Sequence, residues 1–130
     1  MHLYIVDDAA PIRRKIASQL TARAGVRVVG EAASAAEAVR GIMEARPDVV
    51  TLDLHLAAGH GLDVLAATRL LTPSPTVVVI TNHAEPQVRS RCIAAGARDV
   101  FDKSFEFQDA MELCQRLASL FDHHQRGLCT

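Results

Sequence analysis

Short, β-branched apolar runs alternate along this chain with longer segments in which apolar residues recur every three to four positions. The runs LYIV (3–6), VRVVGE (26–31), DVVTL (48–52), TVVVI (76–80) and the weaker DVF (99–101) have the length and composition of buried strands. Helices are predicted between them. The first follows Pro11, a residue favoured in a helix's first turn, and carries Ile12, Ile16 and Leu20 on one face. Ser34 and Glu37 open the second with the S-x-x-E spacing of a capping box, ahead of Val39, Ile42 and Met43. A third begins near Gly61 with Leu62, Leu65 and Leu70, and a fourth carries Val88, Cys92 and Ala95 and stops at Gly96, a C-cap. In the last, Phe107, Ala110, Cys114, Leu117 and Phe121 form a sustained stripe that should cover one sheet face. Such βα alternation predicts an α/β fold, a doubly wound parallel sheet of five strands. Residues 122–130, DHHQRGLCT, lose the period and read as a C-terminal tail behind a domain spanning 1–121.

Composition narrows the class. At 130 residues, 49% hydrophobic and 22% charged, the chain is sized for one folded domain, with no separate DNA-binding or catalytic module in view. Its formal net charge of -1 argues against direct contact with nucleic acid or an anionic membrane surface, and favours a small-molecule or protein partner. No apolar stretch approaches the ~20 residues of a membrane span, so a cytoplasmic location is expected. The three cysteines lack C-x-x-C spacing; Cys92 and Cys114 fall on apolar stripes as small buried hydrophobes, whereas Cys129 sits in the tail.

Chemistry enters where the apolar runs stop. Ligands of doubly wound sheets bind outside the carboxyl ends of the strands. The first run ends in Asp7 and Asp8, the third in Asp53, the fourth in Thr81, and the fifth is followed by Lys103. Two unit charges ~5 Å apart at an effective dielectric of ~20 repel by on the order of 3 kcal/mol, so three carboxylates at one edge need compensation. One lysine cannot neutralise three acids. A hard divalent cation can, and Mg²⁺ binds through one or two carboxylates together with waters and phosphate oxygens. Asp53 is then available as a carboxylate nucleophile of the kind that forms an aspartyl phosphate, with Lys103 as a point charge for phosphate and Thr81 as a hydroxyl.

These pieces, IVDD, PDVVTLDL with Gly61 in DLHLAAGHG, VVVIT and AAGARDVFDKS, resemble the receiver domain of bacterial two-component response regulators, from about Leu3 to Leu120. The resemblance implies a flavodoxin-like (βα)5 sheet in the order 2-1-3-4-5. It implies Mg²⁺ held by Asp8, Asp53 and the backbone carbonyl of His55, with Asp7 reaching the ion mainly through water. It also implies phosphorylation of Asp53 by a histidine kinase or a histidine phosphotransfer protein, aided by Lys103 and Thr81. The phosphorylated form would regulate a downstream effector protein, through the surface of the fourth helix, fifth strand and fifth helix; a homodimer is the other partner open to the chain, with no link to phosphorylation drawn from the sequence. No catalysis beyond the domain's own phosphorylation and dephosphorylation is implied.

Some positions depart from the family pattern. Val100 stands where an aromatic is usual, three residues before the lysine, and Phe101 should point to the opposite sheet face. Ser104 replaces the usual proline after Lys103, so a trans bond is expected there, since a cis bond before a non-proline residue costs ~2.5–4 kcal/mol. Ala57 replaces a common proline. Asp8 could alternatively serve as a helix N-cap ahead of Pro11, and Arg13, Arg14 and Lys15 read as the exposed face of the first helix. His55, His60 and His83 lie at the same edge, but their spacing matches no zinc pattern; by resemblance His55 and His83 flank the phosphate and bear on its lifetime. The functional alternative is a receiver-like protein-binding module that is not phosphorylated. A haloacid dehalogenase-type phosphatase would need D-x-D where Asp53 and His55 stand, and a flavodoxin would not place two acids against FMN.

Overall fold

The computed structural model describes the backbone of residues 1–129 and the side chains of residues 1–122. Five strands, β1 (His2–Val6), β2 (Arg27–Ala32), β3 (Val49–Leu52), β4 (Thr76–Thr81) and β5 (Asp99–Asp102), alternate with α1 (Ala10–Thr21), α2 (Ala35–Ala45), α3 (Gly61–Thr68), α4 (Pro86–Ala94) and α5 (Phe107–Cys129). All strand pairs are parallel and the order is β2-β1-β3-β4-β5, the flavodoxin-like arrangement that the resemblance implied.

Strand alternation divides the core into two layers. Val6, Val50, Leu52, Val77, Val79 and Val100 turn toward Ala38 and Ile42 of α2, Leu65 of α3 and Cys92 of α4. Their neighbours Leu3, Ile5, Val78, Ile80 and Phe101 meet Ile16 and Leu20 of α1 and Ala110, Met111, Cys114 and Ala118 of α5. Val100 and Phe101 therefore sit on opposite faces, as the period of two requires. Both central-strand faces are covered, which is why β1, β3 and β4 read as continuous apolar runs.

The helix signals are met locally. Ser34 caps α2, its Oγ accepting from Glu37 N–H at 3.3 Å, but the Glu37 carboxylate returns to the hydroxyl at 3.1 Å rather than to the backbone. Past the end of α4, Gly96 adopts φ +107°, a conformation glycine takes without strain, and Ala97 N–H closes back on Cys92 O at 2.9 Å. Two expectations differ. Leu70 does not join the stripe of α3, because that helix stops at Thr68 and leaves Leu70 85% exposed in the following turn. Residues 122–129, read as tail, continue the helical backbone of α5: the apolar stripe ends at Phe121, yet no proline interrupts the segment. The thiol of Cys129 lies outside the described side chains. Among the described residues, no helix is long and apolar enough to cross a membrane.

Candidate functional site

The carboxyl ends of the strands converge on one edge. Asp7 follows β1 and Asp53 follows β3 directly, Thr81 closes β4, and Lys103 follows β5. Backbone pairing continues past the strands, with Asp53 N–H donating to Val6 O at 2.9 Å and Lys103 N–H to Thr81 O at 2.8 Å. The side chains are thereby positioned by the sheet itself, not by free loops.

Lys103 is the centre of the arrangement. Its Nζ lies 2.8 Å from Asp53 Oδ2 and 2.8 Å from Asp7 Oδ2. Both acids are buried, whereas Asp8 is exposed at the rim. One carboxylate oxygen from each of Asp7, Asp8 and Asp53 falls within 4.8 Å of the others. Burial pushes the Lys103 pKa down, but hydrogen bonds and charge attraction from Asp53 and Asp7 outweigh it, and the pKa lies above the ordinary 10.5. The ammonium therefore stays charged at neutral pH.

The remaining lone pairs can be followed. Asp7 Oδ1 accepts from Ala9 N–H at 2.9 Å, which fixes the turn into α1. Asp53 Oδ1 accepts only a long 3.3 Å bond from His55 N–H, so this oxygen keeps acceptor capacity. The N-cap of α1 is Ala9, with no side-chain cap; Asp8 does not fill that role and its carboxylate is left facing the cleft.

That cleft, ≈ 360 Å³, is bounded by Asp8, Asp53, Lys103, His55, Asn82 and His83. His55 and His83 stack with ring centroids 3.9 Å apart and form one wall. His60 stands to the side of this pair, its Nδ1 accepting from Leu62 N–H at 3.1 Å as the cap of α3. Thr81 is fully buried at the end of β4, and its Oγ1 accepts from His83 N–H at 3.3 Å. Asn82 and His83, rather than Thr81, line the cleft wall at that strand. The peptide between Lys103 and Ser104 is trans, the expected outcome for a non-proline.

Gly61 has a specific reason to be glycine. Its N–H donates to Leu54 O at 2.8 Å, and a Cβ there would stand 2.5 Å from the Asp53 carbonyl oxygen and 2.7 Å from Leu54 Cα. The start of α3 thus presses on the backbone that carries Asp53. Arg13, read from sequence as part of an exposed face, instead donates to the carbonyl of Asp7 at 2.6 Å and pairs with Glu31 at 3.1 Å. No sequence signal separated it from its neighbour Arg14.

A family model for the response regulator receiver domain matches residues 3–117. The chain belongs to the response regulator receiver domain family. Among curated relatives, the chemotaxis protein CheY of Thermotoga maritima is 31% identical over 114 residues, covering 88% of this receiver and 94% of that protein. The protein-glutamate methylesterase/protein-glutamine glutaminase 3 of Hahella chejuensis is 39% identical over 107 residues, covering 79% of this receiver but 30% of that longer protein. The solved receiver domain of AraT, a response regulator from Geobacillus stearothermophilus, superposes with a TM-score of 0.81 at 26% identity, covering 95% of this receiver and 97% of that chain. The resemblance drawn from strand-end residues and the three-layer fold agree with this membership.

Proposed function

We propose that this receiver accepts a phosphoryl group on Asp53 from a phosphohistidine of a histidine kinase or histidine phosphotransfer protein, in a Mg²⁺-dependent step, and that the phosphorylated form regulates a downstream effector protein. The observation that carries this reading is the single ammonium of Lys103 bridging buried Asp53 and Asp7 while three acids share one edge.

The residues fit a hard cation. One lysine offsets one of three carboxylates, and the donors are all oxygens, the type a hard divalent cation takes, gathered within 4.8 Å of one another. Asp8 and Asp53 would hold Mg²⁺, joined by the backbone carbonyl of His55, with Asp7, whose Oδ2 pairs with Lys103, reaching the ion mainly through water. When bound, the ion neutralises charge on the transferred phosphoryl oxygens. A carboxylate oxygen of Asp53 attacks phosphorus, the O–P bond forms as the P–N bond of the donor breaks, and the donor imidazole keeps the electron pair. Lys103 then exchanges part of its contact with Asp53 for a phosphoryl oxygen as a point charge. The Thr81 hydroxyl, now occupied by His83 N–H, offers its own hydrogen to the same group. The His55–His83 wall limits the approach of water and so bears on the lifetime of the acyl phosphate.

Intact-mass measurement with acetyl phosphate as donor tests this reading. The wild type is expected to gain one phosphoryl group in Mg²⁺ and none in excess EDTA, and Asp53→Asn to gain none. A wild type that takes up no phosphoryl group in Mg²⁺ removes the proposal.

A further inference from the structure

Arg13 stands behind the acid pair, outside the cleft. Its Nη1 donates to the backbone carbonyl of Asp7 at 2.6 Å and its Nε to Glu31 Oε1 at 3.1 Å, so one guanidinium joins α1 to the end of β1 and to β2. On that side the cleft is bounded by Asp8, Ala9 and Ile12, and Arg13 is not one of its walls. The Arg13 side chain is 21% exposed, so the guanidinium is largely withdrawn from water.

Local preference does not account for an arginine here. α1 starts at Ala10, its N-cap Ala9 offers no side-chain acceptor and its first turn carries no acid. A cation in the opening turns of a helix is opposed by the positive end of the helix dipole. What explains the position is the pair of acceptors that a planar fork of donors can hold at once. The Asp7 carbonyl belongs to the peptide that joins Asp7 to Asp8, and the guanidinium therefore fixes the plane of that peptide. Asp7 is held at three further points: its N–H donates to Ala32 O at 3.0 Å, its Oδ1 accepts from Ala9 N–H at 2.9 Å, and its Oδ2 lies 2.8 Å from Lys103 Nζ. Asp8, exposed at the rim, takes its direction from the peptide plane.

We propose that Arg13, anchored by Glu31, is a positioning residue for the divalent cation, holding the Asp7–Asp8 peptide so that the Asp8 carboxylate faces the ion. This rests on the Mg²⁺-dependent phosphoacceptor reading of Asp53. Charge and orientation make opposite demands on the site. A guanidinium near a cation repels it, and Glu31 offsets that charge through its ion pair. Removing the guanidinium therefore tightens ion binding if charge alone matters, and loosens it if direction matters. Groups that orient metal ligands from behind commonly set affinity by about 10-fold or more.

The test is binding of Mn²⁺, an ion that shares the preference for oxygen ligands, read in the full chain by loss of the free-ion EPR signal. The wild type is expected to bind Mn²⁺, and Asp53→Asn, which removes an acid of the cluster, to bind it far more weakly. Arg13→Ala is expected to raise the Mn²⁺ dissociation constant about 10-fold. The Mg²⁺ concentration for half-maximal phosphoryl uptake should rise with it, while the rate at saturating Mg²⁺ stays at the wild-type value. An arginine with a merely structural role would lower the thermal midpoint in EDTA and move neither constant. Arg13→Lys keeps the charge without the fork, is expected to weaken binding less, and decides the matter if Arg13→Ala does not fold. Unchanged or tighter Mn²⁺ binding in folded Arg13→Ala, or in Arg13→Lys where the alanine variant does not fold, overturns the positioning role alone. A wild type that neither binds Mn²⁺ nor gains a phosphoryl group removes the phosphoacceptor reading and the positioning role with it.

Discussion

Lys103 Nζ stands 2.8 Å from a carboxylate oxygen of Asp53 and at the same distance from one of Asp7, and both acids are nearly shielded from water. Removing the ammonium strands two buried charges. Breaking a buried pair by deleting one partner costs about 3 kcal/mol or more, so Lys103→Ala should lower the thermal midpoint markedly in metal-free buffer. Mg²⁺ should restore part of the loss, because an ion that binds only the folded acids stabilises by mass action. Thermal melts with and without Mg²⁺ check both parts.

Gly61 sets the position of Asp53 from behind. Since a Cβ at Gly61 would lie 2.5 Å from the Asp53 carbonyl oxygen, Gly61→Ala forces the start of α3 away from β3 or displaces the acid. Overpacking of this kind costs about 1–3 kcal/mol. Denaturant unfolding should show that loss, and phosphoryl uptake should fall although no reacting group has been touched.

Cys92 and Cys114 are both buried and free. Burial raises the Cys92 pKa above the ordinary 9.0 and pushes Cys114 up to about 12. Neither should react with a thiol reagent at pH 8 until the chain unfolds, when both become titratable. Because the folded pKa of Cys114 exceeds its unfolded value, its contribution to stability is fully present below about 9 and is lost as pH rises toward about 12. Stability measured above pH 9 should decline, and Cys114→Ala should flatten part of that decline.

The Arg89 guanidinium, followed by the backbone N–H of Asp102, holds the Glu106 pKa below the ordinary 4.5. A depressed carboxylate pKa contributes stability that is present above the unfolded value and lost as pH falls through the folded one. Carboxyl NMR should show Glu106 titrating below 4.5 in the wild type, and Arg89→Ala should move it back up.

The strand ends were legible because a buried β-branched run has only one way to stop at a polar residue, and in a parallel sheet all such stops share an edge. Asp7, Asp8, Asp53 and Lys103 follow from that rule and from charge balance. Thr81 illustrates its limit: the run identified the position, but only the packing shows that Asn82 and His83 form the cleft wall. Contacts between side chains on separate elements left no periodic trace. Arg89 and Glu106 look like ordinary surface charges in sequence, Arg13 is indistinguishable from Arg14, and the stacking of His55 on His83 joins two loops whose approach the sheet order creates. Leu70 misled because its spacing continued a stripe after the helix had ended.

The most direct measurement is the site of phosphorylation. After incubation with a phosphohistidine donor in Mg²⁺, borohydride reduction converts an aspartyl phosphate to homoserine, which peptide mass spectrometry locates. Homoserine at position 53 and nowhere else is the predicted result; an unreduced Asp53 in protein that has taken up phosphate, or uptake that persists in Asp53→Asn, would contradict it.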